Sequence, residues 1–287
     1  VGSEMCIRDR WLDRATDSEG PCWVEFLTSR PVSRFMRPAP TSPSVVSIQH
    51  DVRAHFGWTY EADRVSAAQL REACNHHPSA EAFGWSASGR AETMEVIRTA
   101  LVQAQQVVLV GAGVEIEDMN RTWAEGTVFV AADGAVGACL GQDVVCVVTD
   151  LDGEPHLSRA VEQNIPLVVH AHGDNVNAWQ HALQQWSAKG GIPLLLTHQC
   201  DEQHDDMYNV GGFTDGDRAA CFIRSLGVPN ERVRYMGYTT DRVGSWSGAT
   251  NPERKLAKLV WMERVLDLLD PEWPSRQLPA PPTAERT

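Results

Sequence analysis

The chain has 287 residues and 43% hydrophobic content, which suits one large α/β domain with a smaller partner and excludes a disordered or fibrous protein. A formal net charge of -13, with only 25 Lys plus Arg, repels a phosphate backbone and leaves no basic stripe, so nucleic acid is not the expected partner and any bound nucleotide needs a cation. No apolar run approaches the roughly 20 residues of a membrane-spanning helix and no secretory leader pattern is visible, so the chain reads as cytoplasmic with no membrane partner.

The opening Val1–Arg10, VGSEMCIRDR, resembles a translated sequencing adapter and is set aside from fold reasoning. Residues 11–44 follow as an irregular, Pro-rich leader in which no site is placed. Residues 45–106 turn helical, with VVSIQHDVRAHF, ADRVSAAQLREACNHH and GRAETMEVIRTALVQAQQ each carrying apolar residues at three- and four-residue spacing, as in a small mainly α subdomain. From 107 to 270 the rhythm changes to short apolar runs alternating with helix-like stretches: VVLVGAG, TVFVAADG, VVCVVTDLDG, PLVVHAHGD, IPLLLTHQ and RVRYMGYT. Runs without polar alternation predict strands covered on both faces, hence a Rossmann-like, mostly parallel sheet flanked by helices. A Pro-rich tail, 271–287, closes the chain. The seven cysteines are scattered without a CxxC pair, which fits reduced thiols, and Cys139, Cys146 and Cys221 sit in apolar stretches as small core residues.

In open parallel sheets the ligand crevice lies beyond the carboxyl ends of the strands, and the polar residues collect there. Gly111 and Gly113 make a glycine turn that a nucleotide could approach, and Asp133 stands at the next strand end. Asp150 and Asp152 emerge one residue apart after VVCVV; hard oxygen ligands of this kind suit Mg²⁺, although a polar strand-to-helix turn would look the same. His170, His172, Asp174 and Asn175 close the following strand, where Asp174 or Asn175 could also cap a helix and the imidazoles keep a transition metal open. In GGFTDGDRA, Gly212 permits close backbone approach, the helix start offers free N–H groups, and Arg218 supplies a fork for phosphate oxygens; Thr214 as N-cap with Asp217 three positions on is the compatible structural reading. So many carboxylates would repel each other and a triphosphate unless divalent cations intervene. Basic partners are few, with Lys255 and Lys258 read chiefly as solvating their helix.

The series AADGA, VTDLDG, HAHGDN and GGFTDGDRA, followed by a GxT turn and a KLAKL helix, resembles the archaeal MptE-like 6-hydroxymethyl-7,8-dihydropterin pyrophosphokinases over roughly 107–269, with 53–73 similar to that family's N-terminal portion. The resemblance implies a thiamin pyrophosphokinase-like fold and ATP- and Mg²⁺-dependent diphosphate transfer to a pterin alcohol, releasing AMP, for tetrahydromethanopterin or folate-type cofactor synthesis. One departure is visible: the family's first glycine turn usually continues as Gly-Pro-Ser, whereas Gly111-Ala112-Gly113 runs here into Val114-Glu115. Taken with the residues, it assigns Asp150 and Asp152 to a bridging Mg²⁺, Asp215 and Asp217 to a second ion or the substrate hydroxyl, and Arg218 to the transferred charge, with Asp174 or a histidine assisting. Gly111, Gly113, Asp133, His172, Asn175, Gly212 and Thr214 are the expected nucleotide and substrate contacts. The expected partners are small molecules, ATP and the pterin alcohol, with a homo-oligomer compatible. Two other readings compete: a haloacid-dehalogenase-like phosphatase with Asp150 as nucleophile, and a non-catalytic module that binds Mg-nucleotide.

Overall fold

The structure is a computed structural model that describes residues 37–248 and 251–279. The adapter-like segment, nearly all of the Pro-rich leader and the end of the tail lie outside the described residues.

Among the described residues, four helices precede the sheet: α1 (Ser44–Phe56), α2 (Tyr60–Asn75), the single turn α3 (Ala80–Phe83) and α4 (Ala87–Gln103). Their limits follow from local chemistry. Gly57 ends α1 at φ 70°, the left-handed region that glycine enters without a Cβ penalty. Thr59 then opens α2 by accepting from the Ala62 N–H, and Ser86 opens α4 by accepting from Gly89.

The six predicted strand runs are all strands: β1 (Gln106–Val110), β2 (Thr127–Ala132), β3 (Val144–Thr149), β4 (Leu167–Ala171), β5 (Leu194–His198) and β6 (Val233–Met236). They form one parallel sheet in the order β5-β4-β3-β2-β1-β6. Between and after them come α5 (Val136–Cys139), α6 (His156–Glu162), α7 (Val176–Ala188), α8 (Asp215–Ser225) and α9 (Pro252–Leu269). The fold is thus the helix-flanked parallel α/β sheet expected from the apolar runs.

Side-chain alternation splits the core in two. Val107 and Leu109 of β1 face a layer built from α1, α4, α8 and α9, whereas Val108 and Val110 face α2, α6 and α7. Each such fully buried Val or Leu contributes about 1.5–3 kcal/mol of transfer free energy, which is why the strands read as unbroken apolar runs. The helices of 44–103 therefore cover both faces of the sheet. One buried polar knot fastens them: the Arg90 guanidinium on α4 bonds Asp206, the Trp85 carbonyl and, at 2.9 Å, Asn75 of α2. The described cysteines Cys74, Cys139, Cys146, Cys200 and Cys221 are free thiols buried in the fold.

Strands β1 to β5 are laid down in order to one side; after β5 the chain crosses back and adds β6 on the other side of β1. That reversal makes β1/β6 the topological switch point, where the connections diverge and a crevice opens beyond the strand ends.

Candidate active site

The acidic turns after β2, β3 and β4 are neighbours because their strands are neighbours, with Ala132 opposite Val148 and Thr149 opposite Val169. Two residues in the left-handed region shape the crevice: Asp133 at φ 49° and Leu151 at φ 77°. Such positions cost on the order of 1–3 kcal/mol and persist only where the surroundings hold them. Here Thr149 is the holder. Its hydroxyl donates to Asp133 Oδ1 at 2.5 Å and accepts from the Leu151 N–H at 2.8 Å. Gly153 passes so close to the Asp133 carboxylate that a Cβ there would collide with it.

Helix α8 crosses this edge and delivers Asp215 from its first turn. One oxygen each from Asp133, Asp152 and Asp215 then lies within 4.8 Å of the others. Asp133 is buried and Asp152 is exposed, so the group opens to solvent on the Asp152 side. Burial, followed by the charge of Asp215, pushes the Asp133 carboxyl well above its ordinary range; burial, followed by the charge of Asp150, raises Asp215 to about 8. Like charges at this spacing cannot all ionise unaided. The donor set is all oxygen, as Mg²⁺ demands, and the buried Asp150 Oδ1 beside it has no hydrogen-bond partner. These carboxylates fit a divalent cation better than they fit each other.

Asp150 faces His172, with Oδ2 and Nε2 3.3 Å apart. Burial alone would raise this carboxyl; the His172 hydrogen bond and charge, together with Arg218 and Lys258, outweigh it and hold Asp150 below the usual carboxylate range. His172 itself is fixed from three sides: its Nδ1 accepts from the Asp174 N–H at 3.2 Å, its own N–H donates to Asn175 Oδ1 at 3.0 Å, and Nε2 meets Asp150.

The remaining expected site residues divide. Asn175 is buried and fully used as a brace, donating to the Asp150 and His170 carbonyls at 3.0 and 2.6 Å, so it has no amide group left for a ligand. His170 is buried between Thr197 and Gln199. Asp174 lies at the exposed rim and pairs with Arg254 at 3.3 Å. Asp217, expected among the metal ligands, does not join the acid group: it is fully buried and its oxygens accept from the N–H groups of Phe213 and Thr214 and from the Thr214 hydroxyl. This is the capping-box reading of GGFTDGDRA, and burial raises its carboxyl to about 6 against those hydrogen bonds. Gly212, at φ 86°, serves the same cap, since a Cβ would stand 2.8 Å from Asp217 Oδ1. Arg218 is 2% exposed; it pairs with Asp215 at 3.1 Å and donates to the Phe213 carbonyl at 2.5 Å, leaving Nε without a partner.

Beside the acids, a cleft runs along the β1/β6 switch point, lined by Gly111, Gly113, Thr214, Asp215, Arg242 and Lys255 among others. Gly111 and Gly113 are glycines because the strand ends nearly touch: a Cβ on Gly111 would stand 2.8 Å from the Gly237 carbonyl, and one on Gly113 2.8 Å from Thr239 Cγ2. The altered glycine turn therefore still makes a close-packed backbone cradle. Lys255 was read from sequence as a solvating lysine, yet it lines this cleft. Trp246, which no motif marked, closes the cleft by donating to the Val114 carbonyl at 2.8 Å. The GxT turn at Gly237 was the sequence signal that pointed to this second wall.

No family model matches the chain. It is 36% identical over 176 residues to the 6-hydroxymethyl-7,8-dihydropterin pyrophosphokinase of Pyrococcus furiosus, covering 58% of this chain and 72% of that protein. It is 31% identical over 182 residues to the protein of the same name from Methanothermobacter thermautotrophicus, covering 59% and 75%. Against the Methanocaldococcus jannaschii protein of that name it is 29% identical over 132 residues.

Proposed function

As the chain belongs to the 6-hydroxymethyl-7,8-dihydropterin pyrophosphokinase family and is a diphosphotransferase, we propose that it transfers the β,γ-diphosphate of ATP to the hydroxymethyl oxygen of 6-hydroxymethyl-7,8-dihydropterin, with Mg²⁺, releasing AMP into a tetrahydromethanopterin or folate-type cofactor route. The observation that carries the reading is the carboxylate group of Asp133, Asp152 and Asp215 at the sheet edge, directly beside a glycine-walled cleft that holds Lys255 and Arg242.

In this reading the hydroxymethyl oxygen attacks the β-phosphorus, the bond from that phosphorus to the α–β bridging oxygen breaks, and its electron pair leaves on AMP. The hydroxyl proton is released to solvent, since a loose transfer of this kind asks the protein for position and charge rather than for a covalent intermediate. Asp133, Asp152 and Asp215 would hold the ion, with Asp150 alongside, and bound Mg²⁺ would supply charge neutralisation between the phosphate oxygens and the acids. Gly111 and Gly113 let the cleft backbone approach the nucleotide, while Lys255, Arg242 and the α8 N-terminus at Thr214 offer it positive potential. Arg218 keeps Asp215 oriented, and His172 does the same for Asp150. An aspartyl-phosphate on Asp150 draws no support from this arrangement, in which that carboxylate is held by His172.

The test is pterin-dependent AMP formation, with ADP followed separately, across a Mg²⁺ titration for wild type and for Asp152→Asn and Asp215→Asn. The reading requires AMP only with pterin and Mg²⁺, and loss in both variants. Pterin-independent phosphate release, or ADP in place of AMP, would overturn it.

A further inference from the structure

The loop after β4 carries His172 to Asp150, and on the side of the sheet edge Asn175 ties it to the Asp150 and His170 carbonyls. Its other side rests on α2. The Gly173 N–H donates to Asp63 Oδ1 at 2.9 Å, across 110 positions of sequence. Asp63 Oδ2 accepts from Gln199 Nε2 at 2.7 Å and from Arg53 of α1 at 3.1 Å. Gln199, just past β5, meets His170 Nε2 at 3.3 Å, and Arg53 also donates to the Gln199 carbonyl at 2.9 Å. Asp63 is 3% exposed, so these bonds are made out of water and leaving one unmade is costly. Above the same contact, a Cβ on Gly173 would stand 2.6 Å from the Ala62 Cβ, so the first turn of α2 touches the loop without a gap.

We infer that Asp63 is a positioning residue for the transfer reaction: from α2 it sets the height of the His172–Asn175 loop and thereby the contact between His172 and Asp150. The inference rests on the diphosphotransferase reading for its kinetic consequence and on geometry alone for its structural one. A displacement of about 1 Å in a group that aligns the crevice can lower turnover by roughly a hundredfold, so the effect belongs in kcat rather than in the KM for ATP.

The two sides of the contact can be altered separately. Asp63→Ala removes the Gly173 acceptor. Gly173→Ala pushes the loop off α2 by an added methyl, and Ala62→Gly combined with Gly173→Ala moves that methyl across the contact and restores the fit. Arg53→Lys is the control, because it keeps a cation facing Asp63 and leaves the Gly173 hydrogen bond in place. The readouts are the imidazole ¹⁵N spectrum of His172 in the protein without substrates, and kcat with KM for ATP. The expected result is a shifted His172 signal and a drop in kcat of about tenfold or more in Asp63→Ala and Gly173→Ala, with both recovered in the methyl swap and neither changed in Arg53→Lys. Unmoved His172 signals in Asp63→Ala and Gly173→Ala, or a swap that fails to recover them, would overturn the inference. Should the wild-type protein show no pterin-dependent turnover, the functional reading falls while the His172 signals still decide this one.

Discussion

Asp152 is the exposed member of the three-carboxylate group, so its removal bears on charge in the crevice and hardly on packing. Asp152→Asn is expected to leave the unfolding free energy within about 0.5 kcal/mol of wild type while lowering turnover by about 10²–10³-fold, checked by urea melts beside steady-state rates. His198 makes a different prediction. It is 2% exposed, its Nδ1 accepts from the Cys200 N–H, and burial, then His204, lowers its pKa from 6.5 to about 4. The unfolded chain therefore takes up this proton first as pH falls. Stability from the neutral ring is complete above pH 6.5 and is lost progressively down to pH 4, a total of about 3 kcal/mol. Urea midpoints between pH 7 and 4 should fall less steeply in His198→Gln; equal slopes would sink the assignment. At this scale the acids Asp150, Asp152 and Asp215 could be read from strand ends and helix starts. The separation of Asp217 from them could not, because a capping carboxylate and a ligand carboxylate occupy the same position in a D-G-D sequence, and only the backbone N–H groups of Phe213 and Thr214 decide which it is.

The elements themselves were legible for a simple reason: strands buried on both faces are apolar through their centres, and only the edge strand β6 carries a half-buried charge, Arg234. What periodicity cannot carry is which face each N-terminal helix covers. That depends on partners far along the chain, as with Arg90 on α4 and Asp206 before α8, or Asp63 on α2 and Gly173 after β4. The Arg90–Asp206 pair is deeply buried, with side chains 2% and 5% exposed. Arg71 and Asn75 also hold the Asp206 carboxylate, so Arg90→Met should destabilise by about 1–3 kcal/mol, chiefly through the buried Trp85 carbonyl that loses its donor, as urea melts would read. Helix α8 offers a second test. Asp217→Ala frees two N–H donors in a buried turn and should cost about 1–3 kcal/mol; it should also loosen Asp215, so turnover falls with stability, unlike the Asp152 case.

Across the whole molecule, a chain of charge -13 has gathered several carboxylates at one sheet edge. Clustered acids store repulsion that a bound divalent cation releases, and a ligand at 100 times its Kd stabilises by about 2.7 kcal/mol. Mg²⁺ is therefore expected to raise the melting temperature of the wild type and to raise it much less in Asp152→Asn. The sheet order places the glycine-walled cleft at the β1/β6 reversal and the acids along its β2–β3 side, one surface with two kinds of chemistry. Among the described residues no helix is long and apolar enough to cross a membrane. The most direct test of the central claim is ³¹P NMR of a mixture of protein, ATP, Mg²⁺ and 6-hydroxymethyl-7,8-dihydropterin. Two coupled phosphorus signals on the pterin product, growing in step with AMP, are the predicted result; a single phosphorus on the pterin with ADP, or inorganic phosphate with the pterin unchanged, would contradict it.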